Sequence, residues 1–228
     1  KVHDTFDRDL SSRFEIHDYF IAKSIRKLKP GGLGVFITST ATLDRSANLR
    51  NWVVNDGNAD FIGAVRLNTG TFKNTAGTET SADIIIVRKR DEAGPAPYAV
   101  NMQSTITERE APYERIIKLS NGKVKTEAAT AHMNYNKYFH DNPQFMAGQM
   151  RFGFESGVEI RPTEQRCVPT SDIDQSRTLD SFISALPENI YTSAPAPATE
   201  RIPQAVEAPN STKAVSYTHL RAHETPEH

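Results

Sequence analysis

The chain has 228 residues, and its 27 Lys and Arg nearly balance its 28 Asp and Glu to give a formal net charge of −1. This length allows one domain or slightly more, and the near-neutral charge excludes a uniformly basic nucleic-acid binder, so any nucleic-acid contact must be local. The single cysteine, Cys167, excludes an internal disulfide framework and a cysteine-rich zinc site. No apolar stretch is long enough to span a bilayer, and we expect a cytoplasmic protein without a membrane partner.

The first third of the chain predicts alternating helices and apolar strands. Helices are predicted over residues 14–29 and 44–56, and strands over residues 33–38, 61–67 and 83–88. Pro30, Gly31 and Gly32 end the first helix, and the apolar run after them lacks the alternation of a half-exposed strand. Such a run is typical of a strand covered on both faces in a parallel sheet. Asp18 and Asp83, near element ends, are expected to be capping or turn residues.

Beyond residue 91 the pattern weakens. A turn-rich segment, DEAGPAP, predicts a boundary there. The sequence Ser120-Asn121-Gly122 favours a hairpin turn between short strands over residues 116–119 and 123–126. A short helix broken near Pro143 and a last amphipathic helix ending before Pro187 follow.

The end of the chain is compositionally different. Residues 191–214 are rich in Pro, Ala, Ser and Thr, which predicts a disordered linker. Residues 215–228 resemble the translation of a sequencing adaptor, so we leave them, with His219 and His223, out of fold prediction, and we predict no metal site. The predicted organisation is therefore residues 1–92, an α+β extension over residues 95–190, the linker, and the adaptor-like segment.

An ordered set of motifs in the first third resembles the N6-adenine-specific DNA methyltransferases. The set comprises Phe20, the helix stop at residues 28–32, strand residues 35–37 and 62–67, and Phe72 in a polar loop before residues 84–87. It is similar to the methylation subunits of type I restriction-modification systems and to methylase-helicase proteins of mobile elements. The resemblance implies an α/β fold: the C-terminal half of a Rossmann-like S-adenosylmethionine-dependent methyltransferase sheet, then a small α+β extension and a disordered tail.

The resemblance also implies an activity. Such an enzyme transfers a methyl group from S-adenosylmethionine to adenine N6 in DNA, and it would be prokaryotic or phage-encoded, with fused or associated helicase or restriction components as partners. The cofactor glycine loop and the Asn/Asp-Pro-Pro-aromatic catalytic motif of that family would precede residue 1. We therefore predict no catalytic residue within the chain and no activity of the chain alone.

Two aromatic residues receive roles from the resemblance. Phe20 is implied to lie beside the adenine ring of the cofactor, and Phe72 to stack on the target base. An enzyme that acts on a base must extrude it from the duplex, and stacking on an aromatic ring contributes about 1–3 kcal/mol per base. Lys73, Asn74 and Thr75 follow Phe72 directly and are predicted DNA contacts.

Each of these interpretations has an alternative. Phe20 could belong to the core, Phe72 could lie under its own loop, and Lys73 could be only solvated. The run at residues 88–90 could follow a nucleic-acid backbone, although a solvated strand end is favoured. The chain as a whole could instead be a non-catalytic nucleic-acid-binding or interaction module, or an RNA or protein methyltransferase of similar topology.

Overall fold

The computed structural model of the chain describes residues 2, 4–91, 99–120, 122–155 and 158–191. The predicted linker after Tyr191 and the adaptor-like segment lie outside these residues. All described residues belong to one compact unit that ends at Ala194. No helix in this part of the chain is long and apolar enough to cross a membrane. The predicted boundary near residue 92 stays a prediction.

The described part of the chain contains short helices and seven strands. The helices are α1 (Arg8–Arg13), α2 (Ile16–Lys27), α3 (Ala41–Asp44), α4 (Ala47–Asn55), α5 (Lys73–Ala76), α6 (Lys137–Asp141) and α7 (Gln175–Ala185), with a 3-10 turn at Pro143–Phe145. The strands are β1 (Leu33–Ser39), β2 (Ala59–Leu67), β3 (Ala82–Lys89), β4 (Thr105–Lys118), β5 (Val124–Asn136), β6 (Gln149–Glu155) and β7 (Val158–Val168).

The two helices predicted in the first third are each shorter than expected. Phe14 takes an extended conformation between α1 and α2, and its buried ring packs edge-on against Trp52 at 5.9 Å between centroids. The second predicted helix, over residues 44–56, corresponds to α4, and the separate short helix α3 precedes it across a break at Arg45 and Ser46. The predicted stop after α2 is confirmed, and Gly31 adopts a positive φ of 74° there, which glycine accommodates without strain.

The first three strands form one sheet in the order β1-β3-β2, and β3 runs antiparallel to both neighbours. The mixed α/β class is confirmed, but the predicted half of a parallel Rossmann-like sheet is not found among the described strands. The reason lies in the connection after β2: the chain reverses through residues 68–81, and β3 then inserts between β1 and β2. Apolar periodicity predicts strands well, but it carries no information about their direction.

The prediction that β1 is covered on both faces is wrong. Val35 and Ile37 are 62% and 64% exposed. On the same face of the sheet, α7 covers β2, where a Cβ atom at Gly63 would lie 2.8 Å from the ring of Phe182. The cover does not extend to β1. An unbroken apolar run therefore predicted the strand correctly and its environment incorrectly.

Two further hairpins follow the sheet. Strands β4 and β5 contain 14 and 13 residues, far more than the predicted residues 116–119 and 123–126. Gly122 has a φ of 79°, as the predicted turn requires, while Asn121 lies outside the described residues. The hairpin of β6 and β7 was not predicted. The helix broken near Pro143 is confirmed by α6 and the 3-10 turn, and the last helix by α7, whose N-cap Asp174 accepts two backbone hydrogen bonds.

A fully buried arginine connects these parts. Arg66 of β2 donates from Nε to Asp83 Oδ1 and from Nη2 to Asp83 Oδ2, both at 2.8 Å, and from Nη2 to Asp44 Oδ1 at 2.9 Å. Its guanidinium carbon lies 4.3 Å from the ring centroid of Phe139. Asp83 was expected in a turn or cap, but it pairs directly across from Arg66 in the β2–β3 register.

Asp44 extends the network beyond the sheet. Its Oδ1 also accepts the backbone N–H of Asn136 at 3.0 Å, and its Oδ2 accepts from Gln165 Nε2 at 3.3 Å. Burial lowers the pKa of Arg66, but attraction to the two carboxylates outweighs this and raises it overall. For Asp83, which faces a single guanidinium shared with Asp44, burial prevails and raises the pKa to about 6. Removal of either carboxylate would therefore leave the buried charge of Arg66 incompletely compensated.

We expect replacement of Asp83 by Ala to destabilise the protein by about 3–5 kcal/mol, because it leaves the buried Arg66 charge with one carboxylate. Urea unfolding at neutral pH would measure the loss. Asp56→Ala is the matched control, since it removes an exposed ion pair with Arg13 and should cost less than about 1 kcal/mol. Equal losses for the two variants would show that the buried network does not hold the fold together.

Candidate nucleic-acid interface

The carboxyl ends of β1 and β2 and the start of β3 lie at the same end of the sheet. In the strand register, Ser39 and Leu67 both lie opposite Ala82. We call this end the carboxyl edge. It carries the loop of residues 68–81, which contains Phe72 and which we call the Phe72 loop. The predicted base-stacking residue therefore lies at one edge of the sheet, as the sequence indicated.

Hydrogen bonds fix the base of the Phe72 loop to other parts of the chain. Asn68 is buried and donates from Nδ2 to the carbonyl of Ala147 at 2.8 Å. Thr71 donates its hydroxyl to Asn68 O at 2.8 Å and approaches Gln175 Oε1 at 2.7 Å. A loop held in this way can present a side chain in a defined position.

Phe72 caps the short helix α5 and is half-buried. It belongs neither to the buried core cluster nor to the partly buried residues packed against that cluster. Part of the ring surface is therefore accessible outside the core, and the alternative in which the ring lies under its own loop stays a prediction. Its role in base stacking stays a prediction, because exposure permits contact with a base but does not demonstrate it.

The three predicted DNA contacts differ from one another. Lys73 is exposed but forms an ion pair with Glu79 at 2.7 Å, and this hydrogen bond raises the pKa of Lys73. Asn74 and Thr75 are exposed, and their side chains have no hydrogen bond within the described part of the chain. Thus Asn74 and Thr75 can contact a ligand directly, whereas Lys73 would first exchange its partner.

Phe20 lies on α2 and is 55% exposed, so the alternative of a core residue is wrong. Its ring makes an edge-on contact with Tyr19 at 5.2 Å between centroids. No ring contact joins Phe20 to Phe72 in the described residues. Phe20 is the one described residue implied for S-adenosylmethionine, and a single exposed ring does not define a cofactor pocket. The cofactor therefore stays a prediction.

A polar cleft of about 270 Å³ opens at the carboxyl edge beside the Phe72 loop. It is lined by hydroxyl groups and by charged side chains of both signs: Thr40, Arg45, Glu79, Thr80, Ser81, Thr163, Glu164, Gln165 and Arg166. Arg166 pairs with Glu164 at 3.1 Å, and Glu79 pairs with Lys73. Arg45 is exposed and has no ion-pair partner in the described residues. The sequence did not indicate this cleft, because four of its nine lining residues come from the unpredicted strand β7.

The basic run at residues 88–90 is not a solvated strand end, contrary to the sequence-based expectation. Each side chain donates to a neighbouring protein oxygen: Arg88 Nε to Ile190 O at 2.7 Å, Lys89 Nζ to Gly57 O at 2.6 Å, and Arg90 Nε to Asp60 Oδ2 at 2.8 Å. These residues also lie at the end of β3 opposite the carboxyl edge. They are therefore structural residues and do not extend the candidate interface.

The described part of the chain also contains a larger cavity and the single cysteine. A cavity of about 370 Å³ lies between β2 and α7 and includes the rings of Tyr138, Phe145 and Phe182. Within the described residues, no group of three or more His, Cys, Asp or Glu side chains is arranged to hold a metal. Cys167 is buried, and burial raises the pKa of its thiol to about 12, so it is not a reactive nucleophile.

The first turn of α2 carries a buried carboxylate with one oxygen that accepts no hydrogen bond in the described structure. Asp18 was expected to be a cap, but it is buried, and its Oδ1 has no hydrogen-bond partner in the described structure. Burial raises the pKa of Asp18, although a hydrogen bond with Ser46 and attraction to His17 and Arg50 oppose this. The contact with Ser46 places the start of α2 beside the break between α3 and α4.

We expect Asp18→Asn to stabilise the protein at neutral pH. A carboxyl with a raised pKa in the folded state favours folding at low pH, and this contribution is lost as the pH rises through the folded-state pKa. The variant should therefore be more stable than the parent at pH 7, and the difference should disappear near pH 3. Thermal unfolding across this range would measure it. A variant less stable than the parent at pH 7 would contradict the conclusion that the buried carboxylate of Asp18 destabilises the folded protein.

Comparison with known proteins gives one informative similarity. Over 160 residues the chain is 25% identical to the Defense against restriction protein B of Escherichia phage P1. The aligned region covers 70% of the chain but 6% of the phage protein, so the chain spans a small part of that relative. No protein-family model matches the chain. No solved structure matches it either.

These findings correct the family assignment. The sequence motifs suggested the N6-adenine DNA methyltransferases, yet no methyltransferase family model matches, and the similar phage protein is named for defence against restriction. The identification as a member of that methyltransferase family is therefore wrong. Single elements, such as a helix stop before an apolar strand, occur in many α/β proteins. Their order in this chain did not suffice to identify the family.

Proposed function

We propose that the chain is a nucleic-acid-binding module that holds an unpaired base on the ring of Phe72. The observation that carries this proposal is a partly exposed phenylalanine at the carboxyl edge, outside the core, on a loop whose base is fixed by hydrogen bonds. Of the alternatives that the sequence leaves open, this corresponds to the non-catalytic nucleic-acid-binding module.

The energetics favour this role for Phe72. A half-buried ring outside the core gains less from its own fold than a core residue does, whereas a base stacked on it contributes about 1–3 kcal/mol, whatever the identity of the base. Because the loop is anchored by Asn68 and Thr71, little conformational freedom is lost when a base binds. Binding through this ring would therefore discriminate between paired and unpaired bases more than between sequences.

The polar cleft supplies groups for the backbone beside the stacked base. The guanidinium of Arg45 and the hydroxyl group of Thr80 are both on exposed residues that line it. The Lys73–Glu79 ion pair is exposed, so it contributes little to stability. A phosphate could therefore replace Glu79 as the partner of Lys73. These groups suit a single phosphate or sugar and do not form a broad basic surface.

The similarity to the phage P1 protein supports DNA as the nucleic acid. That protein is named for defence against restriction, and restriction is directed at DNA. We extend to this chain only a role in contacting DNA, since it spans 6% of the phage protein. A cytoplasmic location in a prokaryotic or phage-infected cell is part of the same proposal.

The predicted chemistry is a separate matter. Methyl transfer to adenine N6, the use of S-adenosylmethionine, and helicase or restriction partners stay predictions, as does the role of Phe20. They came from the family resemblance, and the base-binding proposal does not depend on them.

Replacement of Phe72 by Ala should weaken binding to a DNA duplex that contains one unpaired base by about 5- to 150-fold, which corresponds to the loss of one stacked base. Binding to the fully paired duplex should change little. Fluorescence anisotropy with the two labelled duplexes would measure both affinities. The melting temperature should stay nearly constant, because the ring lies outside the core.

Phe6→Ala is the matched control, since it removes an equally large ring that is 95% exposed elsewhere on the surface. If Phe72→Ala and Phe6→Ala reduce affinity equally, or if the parent protein does not prefer the duplex with the unpaired base, the stacking role is wrong.

A further inference from the structure

The hairpin of β4 and β5 projects from the rest of the protein. A strand of 14 residues extends about 45 Å, longer than the strands of the sheet. The end near β5's last residues is buried, with Met133, Tyr135 and Asn136 at 2% exposure or less. In contrast, no described residue between 114 and 128 is buried. We call residues 114–128 the ribbon tip.

The buried end of this hairpin is attached to the carboxyl edge. Asn136, the last residue of β5, donates its backbone N–H to Asp44 and its side-chain amide to Leu43 O at 3.0 Å and Met102 O at 2.7 Å. The ribbon therefore starts from the network that contains Arg66. Because no described residue of the ribbon tip is buried, the side chains of the tip contribute little to the core and are accessible to a ligand.

The charge of the ribbon tip differs from that of the chain. Four basic residues, Arg115, Lys118, Lys123 and Lys125, accompany two acidic ones, whereas the whole chain has a net charge of −1. Glu127 pairs with Arg115 at 3.3 Å and with Lys125 at 2.9 Å. Because these pairs are exposed, a polyanion can compete for the basic partners.

The strand register separates the two faces of the ribbon tip. Ile116 lies opposite Thr126, and Lys118 lies opposite Val124, so these four side chains share one face. Ile116 and Val124 are 69% and 60% exposed, so this face presents apolar groups to solvent. The opposite face carries the ion pairs of Glu127. One face is therefore rich in methyl groups and carries Lys118, while Arg115 and Lys125 lie on the opposite face.

We propose that the ribbon tip enters the major groove of double-stranded DNA. The major groove is about 12 Å wide and admits a two-stranded β-ribbon, whose strands lie about 5 Å apart. The methyl-rich face would contact the groove floor, where thymine exposes its C5 methyl group. The long side chains of the basic residues would extend to the phosphates at the rims of the groove: Arg115, Lys118, Lys123 and Lys125.

A protein partner fits these features less well. The exposed apolar residues are few, and they are interrupted by Lys118, whereas protein interfaces are depleted in lysine at their centres. Insertion of the ribbon tip concerns paired DNA, whereas Phe72 is proposed to hold an unpaired base. The inference therefore goes beyond base stacking and does not depend on it.

The test is a triple variant of the full chain, Lys118→Gln with Lys123→Gln and Lys125→Gln, titrated with a fully paired DNA duplex at several salt concentrations. Each phosphate contact contributes about 0.9 to the slope of log affinity against log salt, so the slope should fall by about 2 to 3. Affinity near 0.1 M salt should fall by at least about tenfold. A control variant, Arg8→Gln with Lys27→Gln and Lys29→Gln, removes the same charge from exposed positions elsewhere.

Dimethyl sulfate footprinting locates the contact. The parent protein should protect guanine N7, which faces the major groove, and the triple variant should lose this protection. Equal effects of the two triple variants, protection only of adenine N3 in the minor groove, or no binding of the parent to paired DNA would each overturn the proposal. Phe72→Ala should retain the N7 protection, so failure of base stacking and failure of groove insertion are distinguishable.

Discussion

The structure depends on one buried charge. Arg66 lies inside the protein with no exposure, and burial of an unpaired guanidinium would be prohibitive, so Asp83 and Asp44 must both be in place when the chain folds. These partners belong to different elements: Asp83 fixes the pairing of β2 with β3, and Asp44 fixes the end of α3. Through Asn136, the same carboxylate holds the end of the β4–β5 hairpin. A single residue therefore sets the positions of the sheet, the break before α4, and the hairpin.

This constraint explains where the candidate functional groups lie. Because Arg66 is near the end of β2, the elements that meet around it converge at the carboxyl edge, and the Phe72 loop begins two residues later. The polar cleft forms where that loop faces β7. The long hairpin starts from the same network and extends away from it. In this arrangement, an anchored ring and a projecting ribbon are attached to one rigid centre, as two contacts on one DNA molecule would require.

The sequence predicted the parts better than their arrangement. Apolar runs located β1, β2 and β3, and the Gly122 turn indicated a hairpin, because these signals are local. Strand direction and the exposure of Val35 were not predicted, since both depend on contacts distant in sequence. Asp83 was mistaken for a turn residue because nothing nearby shows that Arg66 will lie opposite. Phe72 could be selected because a lone ring among polar residues is a local anomaly, whereas the polar cleft required the unpredicted strand β7.

The claim that an unpaired base stacks on Phe72 is tested most directly by photo-crosslinking. A duplex with 5-iodouracil at the unpaired position would be irradiated with the full chain, and the linked peptide would be identified by mass spectrometry. Iodouracil reacts with aromatic rings that stack on it, so we expect a single main adduct within the Phe72 loop that is absent when the same base is paired. An adduct elsewhere on the chain, or equal yields from the paired and unpaired positions, would contradict the account.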